Sequence, residues 1–523
     1  TLINVYMTFE IVFVLLSLLG MMAALIADKM RPGMVLFSVV VLFLCVGILT
    51  PKEMLEGFSN KGMITVALLF LVSEGIRQSG TLGQVIKKLL PQGKTTVFKA
   101  QLRILPSVAF ISAFLNNTPV VVIFAPIIKH WAKSVKLPAT KFLIPLSYVT
   151  ILGGICTLIG TSTNLVVHGM ILEAGYEGFT MFELGKVGIF IAIAGIIYLF
   201  IFSKRLLPDA RPDTAVPDEE VEEGEKLHRV EAVLGARFPG INKKLSDFNF
   251  QRHYGAEVKE IKTRNGQRYV DHLEDVVLRE GDTLVVMADD TFIPTWGESS
   301  VFVLLTNGND PDTSGKKKRW LALILLVLMI VGATVGELPA TKEMFPDIKL
   351  DMFFFVCITT IIMAWTNIFP ARKYTKYISW DILITIACAF AISKAMVNSG
   401  VADCVAGFII GLSDDYGPHV LLAILFVITN LFTELITNNA AAALAFPLAL
   451  SISAQLGVSP TPFFVVICMA ASASFSTPIG YQTNLIVQGI GNYKFTDFVR
   501  IGLPLNIITF LISVILIPLI WNF

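Results

Sequence analysis

Four clusters of uncharged polar residues interrupt long apolar runs, and their side chains are of the kind that bind small ions. Leu115-Asn116-Asn117-Thr118-Pro119 lies within the apolar stretch 104–128, and Ile436-Thr437-Asn438-Asn439-Ala440 within 420–450. Amides and hydroxyls both donate and accept hydrogen bonds. A hairpin tip also exposes helix N-termini, whose unpaired N–H groups and dipole favour negative charge. Asn116, Asn117, Thr118, Thr437, Asn438 and Asn439 are therefore candidate contacts for an anion, and Pro119 suits the first turn of a returning helix. The second pair of clusters is Thr157-Leu158-Ile159-Gly160-Thr161-Ser162-Thr163-Asn164 and Thr477-Pro478-Ile479-Gly480-Tyr481-Gln482-Thr483-Asn484. Breaking a helix there frees carbonyls, and carbonyls with hydroxyl and amide oxygens make a hard-cation site. Candidate ligands are Asn117, Thr157, Gly160, Thr163 and Asn164, with Asn438, Thr477, Gly480, Thr483 and Asn484 as their counterparts. Sodium fits these sets, because neither break contains a carboxylate to neutralise a divalent metal.

The elements that position these clusters follow from composition and periodicity. Of 523 residues, 54% are hydrophobic and 15% charged, against about 25% charged in soluble proteins, so the chain belongs in a bilayer. Apolar spans lie near 8–27, 34–50, 62–78, 142–170, 184–202, 320–337, 351–369, 380–397, 463–490 and 502–520. The stretches 104–128 and 420–450, broken midway, are expected to be re-entrant hairpins, tolerable only where protein or water covers the irregular backbone. Ser79-Gly80 matches Ser399-Gly400, Asn116-Asn117 matches Asn438-Asn439, Gly160 with Thr163-Asn164 matches Gly480 with Thr483-Asn484, and Phe179-Thr180 matches Phe495-Thr496. Four ordered matches at nearly constant spacing indicate an internal repeat of residues 1–205 in 320–523.

Basic residues set the orientation. Lys29, Arg31, the segment Lys87–Lys99, Lys129–Lys141, Lys204 and Arg205 all lie inside only if 104–128 enters and leaves from that side. Lys316-Lys317-Lys318-Arg319 restarts the chain inside, and Arg372, Lys373 and Lys376 return it there. The two halves then have opposite parity, which places ion and substrate sites at the midplane between them. Residues 206–319 are polar and open on the acidic run Asp218-Glu219-Glu220-Val221-Glu222-Glu223, read as a solvated linker. Ala256–Thr263 and Thr283–Met287 alternate as strands, with Asn265-Gly266 as a hairpin turn, so this segment is a cytoplasmic α+β insert.

Ionisable groups inside a membrane are costly and face a partner. Glu74 and Lys394 occupy equivalent repeat positions; each is expected to pair with a polar group near a hairpin, Glu434 being the candidate for Lys394. His130 and His168 read as headgroup-level residues at span ends, and Cys45, Cys156, Cys357, Cys388, Cys404 and Cys468 as small buried hydrophobes without metal-ligand spacing. No cleavable signal peptide is evident.

The two Asn-Thr tips, each followed by a Gly-x-x-Thr-Asn break, resemble the divalent anion/sodium symporters and the ion-transporter superfamily around them. That resemblance covers both membrane halves. It implies an all-α polytopic fold with inverted repeats and two re-entrant hairpins, a homodimer, and an elevator-like movement of the substrate-bearing part. Family tips carry Ser-Asn-Thr, which contacts substrate and helps bind sodium. Here the matching positions are Asn116-Asn117-Thr118 and Thr437-Asn438-Asn439, a departure that shifts the expectation from dicarboxylates toward sulfate-like inorganic anions. Around Val277-Leu278-Arg279-Glu280-Gly281-Asp282-Thr283-Leu284-Val285-Val286 the insert resembles a TrkA-C-like domain, whose relatives bind small regulatory ligands; a passive scaffold is the alternative.

The expectation is a sodium-coupled symporter of a small divalent anion in the plasma (inner) membrane, with the insert in the cytoplasm. Alternatives are a di- or tricarboxylate symporter, a proton-coupled anion transporter or, in another class, a ligand-gated anion channel. The chain has no Ser/His/Asp set, no His-Glu-x-x-His and no phosphate-cradling Gly loop with Lys and Ser/Thr, so it is not expected to be an enzyme or to need an organic cofactor. A net charge of +1 gives no reason to invoke nucleic acid.

Overall fold

In a bilayer every backbone polar group must be satisfied within the protein, which leaves helices as the spanning element for a chain of this composition. A computed structural model of the protein describes residues 9–27, 29–91, 93–209, 228–235, 238–263, 267–289, 292, 296, 301–306, 316–411 and 417–523. Its principal helices fall into two matching sets. The first set is α1 Phe9–Ala27, α2 Pro32–Val46, α3 Lys61–Gln78, α4 Val97–Ser112, α5 Asn117–Ser134, α6 Leu143–Gly154, α7 Ser162–Glu173 and α8 Gly185–Leu206. The second is α9 Lys316–Gly336, α10 Met352–Trp365, α11 Trp380–Asn398, α12 Gly417–Leu435, α13 Asn438–Leu456, α14 Thr461–Ser472, α15 Gln482–Gly491 and α16 Phe495–Ile520. Among the described residues, 8 helical segments are long and apolar enough to cross a membrane.

Each apolar span expected from sequence is a helix or, at 142–170 and 463–490, a pair of short helices about a break. The hairpin arms run further than expected, over 97–134 and 417–456 rather than 104–128 and 420–450. In the first hairpin the outer turns carry Lys99, Arg103 and Lys133, so hydropathy alone truncates helices whose periodicity continues. Pro126 and Pro447 sit at equivalent points of the two return arms, interrupting the helix ladder where neighbouring helices cover it.

Burial separates the helices into an inner and an outer class. All residues of α6 are buried, as are Asn438–Ala449 of α13. By contrast α8 exposes Ile189, Ile193, Ile197 and Ile201, and its counterpart α16 exposes Leu503, Ile507, Leu511, Ile515 and Leu519. These are four-residue stripes along one helix face. Continuous apolar surface of this size is stable against lipid and not against water.

The insert is a five-stranded antiparallel sheet, β1 His228–Leu234, β2 Glu257–Lys262, β3 Arg268–Tyr269, β4 Thr283–Ala288 and β5 Phe302–Thr306, in the order β3-β2-β4-β1-β5. Both expected strands are present as β2 and β4. The expected Asn265-Gly266 turn and the acidic run 218–223 lie outside the described residues; on either side of 264–266, Ile261 pairs with Tyr269.

Contacts with this sheet fix the relative direction of the halves. α5 runs from its tip toward the sheet, where Lys129 pairs with Glu231 of β1 at 3.0 Å. α15 does the same, setting Leu485 against Gly281 and Gly489 against Thr283. Helices α13 and α7 pack together and run the other way. The end of α7 meets Asn60, whose side-chain amide donates to the Gly169 carbonyl (3.3 Å) and to Glu173 (3.1 Å). The same far side holds the Lys61–Asp351 ion pair and Glu337, which lies just past the end of α9. Because α5 corresponds to α13 and α7 to α15, the repeat is inverted.

Candidate functional site

The two tips are wired identically. The Ser112 hydroxyl lies 2.7 Å from Asn117 Oδ1 and 2.9 Å from the Thr150 carbonyl; the Thr433 hydroxyl lies 2.7 Å from Asn438 Oδ1 and 2.6 Å from the Ala471 carbonyl. Each pair of equivalents is separated by 321 residues. This corrects the match of the Asn116-Asn117 and Asn438-Asn439 doublets and agrees with the pairing of Asn116-Asn117-Thr118 with Thr437-Asn438-Asn439: Asn117 corresponds to Asn438, and Asn116 to Thr437. Both α5 and α13 begin at the corrected asparagine, with Asn116 and Thr437 as the N-cap residues. Similarity between doublets of Asn had shifted the match by one residue. Neither N-cap side chain makes a capping bond, and the Thr437 hydroxyl has no partner among the described residues.

The breaks repeat their wiring too. Asn164 Nδ2 donates to the Thr157 carbonyl (2.9 Å) and more weakly to that of Gly154 (3.5 Å); Asn484 Nδ2 donates to Ser474 (2.9 Å) and Thr477 (3.2 Å). The Thr157 hydroxyl donates to the Ala113 carbonyl, and the Thr477 hydroxyl to that of Glu434 at 3.0 Å. Gly160 N–H donates to the Thr157 hydroxyl (3.2 Å), and a Cβ on Gly480 would strike Ser474 and Thr433. Each unwound segment is thus stitched to the end of the first hairpin arm in its own half.

Other bonds cross between halves. Asn117 Nδ2 donates to the Tyr481 hydroxyl at 2.5 Å, the Thr161 hydroxyl lies 3.0 Å from the same oxygen, and Asn438 faces it from the other tip. One phenol therefore joins both tips. Asn439 Oδ1 accepts from Ser162 (3.4 Å) and Thr163 (3.3 Å), and Thr118 donates to Gln482 Oε1 (3.3 Å). Ser147 of α6 lies 2.7 Å from Asn484 Oδ1 and 2.9 Å from the Thr483 hydroxyl. All ten residues expected at the cation sites are drawn into these two clusters. The tip residues meet the opposite half's break.

The electrostatics are those of dipoles rather than of charged side chains. α5, α7, α13 and α15 all begin at these contacts, so the positive ends of four helices meet there. No Lys or Arg stands in 112–118, 157–164, 433–439 or 474–484. The local carboxylate is Glu434, which is 8% exposed. It accepts from Ser476 N–H (2.9 Å), Thr477 N–H (2.8 Å) and Asn506 Nδ2 (2.7 Å), and so caps the second break. Lys394 is exposed on α11 and is not among these partners, because Glu434 turns inward from α12 to the freed N–H groups instead. Glu74 also departs from expectation. It forms a fork with Arg77 (2.6 and 2.8 Å) and accepts from Gln78 (2.6 Å), partners on or beside its own helix. Of the histidines, His130 is exposed, whereas His168 sits half-buried within α7 with its ring against Gly178.

Tyr481, Thr161, Ser147, Ser112 and Thr433 were not singled out from sequence. Tyr481 carried the clearest signal, as it stands where the first half has the small hydroxyl residue Thr161.

Comparison with known proteins bears on this arrangement. The citrate transporter family matches residues 22–452 and 344–523. An uncharacterized transporter of Synechocystis is 29% identical over 92% of this chain and 93% of its own length. Sodium/sulfate cotransporter 2 of Chlamydomonas reinhardtii is 30% identical over 54% of this chain and 31% of its own. A sodium-dependent dicarboxylate transporter of Staphylococcus saprophyticus is 25% identical over 28% of each chain.

Proposed function

The chain belongs to the citrate transporter family, and on that footing we propose that it is a sodium-coupled symporter of a small divalent anion of the sulfate class. It is an integral membrane protein, and its relatives are transporters, not enzymes. The observation that carries the reading is the convergence of Asn117 and Asn438, one from each inverted half, on a single hydroxyl at the meeting of four helix N-termini.

Several hydrogen-bond donors and positive dipole ends, without a fixed cation, suit a compact oxyanion that must also be released. Asn117 and Asn438 amides, the Thr118 and Thr437 hydroxyls and the N–H groups of Asn116 and Asn439 would hold it. The carbonyl-rich breaks at 157–164 and 477–484 would take sodium, whose charge offsets that of the anion. Filling the sodium site orders the tip above it, so the anion binds better when sodium is present, and each ligand raises the other's affinity. Rigid movement of hairpins and breaks against the outer helices would then expose the site to either side, with the protein as a homodimer in the plasma membrane and the insert in the cytoplasm. The insert is read as a TrkA-C-like module, and a small regulatory ligand there belongs to the proposal.

A di- or tricarboxylate symporter is the second reading, favoured by the family description and by the Staphylococcus relative. Uptake of labelled sulfate into proteoliposomes, with and without an inward sodium gradient, tests the first. Concentrative uptake only with the gradient, competed by unlabelled sulfate but not by succinate or citrate, is expected. Concentrative uptake driven equally by a proton gradient alone would replace sodium with protons, and competition by citrate at micromolar levels would favour the second reading.

A further inference from the structure

The two breaks share their wiring but not their capacity for a cation. In the first, Asn164 is fully buried, and its Oδ1 has no hydrogen-bond partner among the described residues. Around it stand the carbonyls of Gly154 and Thr157, bridged by its own Nδ2. Gly154 leaves a cradle open here: a Cβ at that position would lie 2.7 Å from Asn117 Oδ1 and 3.1 Å from the Gly160 carbonyl. Asn117 Oδ1, Asn164 Oδ1 and the carbonyls of Gly154, Thr157 and Gly160 therefore form a neutral, oxygen-only set. An unpaired buried amide oxygen costs on the order of 1–3 kcal/mol, so its retention calls for a ligand.

The second break replaces each of these features. Ser474 stands where the first half has Gly154, and its fully buried side chain occupies the cradle, with its hydroxyl 3.3 Å from the Thr433 carbonyl. Asn484 Oδ1, the counterpart of the unpaired oxygen, accepts from Ser147 at 2.7 Å. The second half offers the first break no such hydroxyl, because the residues 320 and 321 positions after Ser147 are Ile467 and Cys468. Glu434, whose counterpart is Ala113, further takes up the freed N–H groups of Ser476 and Thr477.

We propose that the first break alone, around Asn164 and Gly154, is the monovalent-cation site, and that the second is a self-satisfied structural copy. This rests on the sodium-coupled reading and narrows it: one sodium site per chain rather than a symmetric pair. Sodium suits five neutral oxygens better than a divalent ion does, since no carboxylate offsets a second charge.

Equilibrium binding of radioactive sodium to the purified full-length protein tests the proposal. Wild type is expected to saturate at one sodium per chain. Gly154→Ser, which copies the second half into the first, is expected to weaken binding at least tenfold, as is Asn164→Ala; Asn164→Asp, which keeps an oxygen there, restores binding relative to Asn164→Ala. Monodisperse elution of each variant by size exclusion separates lost binding from lost folding, and the stoichiometry of wild type needs no variant. A stoichiometry of two sodium ions per chain, or wild-type affinity in Gly154→Ser, would overturn the single-site assignment while leaving sodium coupling intact. No saturable sodium binding by wild type would remove the coupling itself, and the proposal with it.

Discussion

Tyr481 places one hydroxyl where two asparagines from opposite halves meet, so its loss loosens both tips at once. A hydrogen bond to a neutral partner contributes about 0.5–1.5 kcal/mol, so two shared by one group contribute about 1–3 kcal/mol, roughly a five- to 150-fold effect. Tyr481→Phe is therefore expected to raise the KM for anion uptake by about that factor while the protein folds normally, as measured in proteoliposomes. An unchanged KM would remove Tyr481 from the site. The residue types at the tips and breaks were legible in the sequence because polar clusters stand out against apolar spans. Their partners were not, since Asn117 and Tyr481 are 364 residues apart and no local pattern joins them. The legible trace was departure from the repeat: Thr161 against Tyr481, Ala113 against Glu434, Gly154 against Ser474. Glu434 shows the cost of reading charge alone. The search for a cationic partner led to Lys394, whereas a carboxylate at an unwound helix is equally well served by backbone N–H groups.

At the scale of elements, Glu434 holds the second break in shape by accepting the Ser476 and Thr477 N–H groups, which no helix partner can reach. Glu434→Ala leaves these donors and Asn506 Nδ2 unsatisfied in a buried setting, at about 1–3 kcal/mol for each group left bare. The variant is expected to melt well below wild type in detergent, and Glu434→Gln, which keeps one acceptor, to fall between the two. Equal melting temperatures for wild type and Glu434→Ala would show that the break is held by other contacts. The existence of the principal helices was readable from apolar runs, whereas short helices such as Thr81–Leu89 and Val401–Gly411 fell outside the expected spans. Helix ends were not readable, because arms such as Val97–Ser112 begin in amphipathic turns where Lys99 and Arg103 reach the membrane surface and hydropathy falls before helicity does. The inversion was readable from basic residues, and the side of the sheet on which α5 and α15 end agrees with it.

On the scale of the molecule, the insert is fastened to the helices that carry the site. Glu231 of β1 lies between Lys129 of α5 (3.0 Å) and Lys262 of β2 (3.4 Å), while Asn242 donates to the Lys29 carbonyl between α1 and α2 (3.0 Å). Burial would raise the Glu231 carboxyl, but the two ammonium groups outweigh it and hold the group at about 2. A depressed carboxyl contributes stability above its unfolded value, near 4.5, and loses that contribution as the pH falls toward 2. Docking of the insert is therefore expected to be constant at neutral pH and to weaken from about pH 4.5 downward, read as faster proteolysis of the insert while the membrane helices stay protected. Glu231→Gln should show the weakened state already at pH 7, and an insert equally protected at pH 4 and pH 7 would contradict this role. The arrangement as a whole stands or falls on one anion being held jointly by the two halves. Isothermal titration of sulfate into the purified protein in sodium, comparing wild type with Asn117→Ala and Asn438→Ala, measures that directly. Each variant, altered in one half only, is expected to lose at least tenfold in affinity, whereas wild-type affinity in either would show that the halves do not share a site.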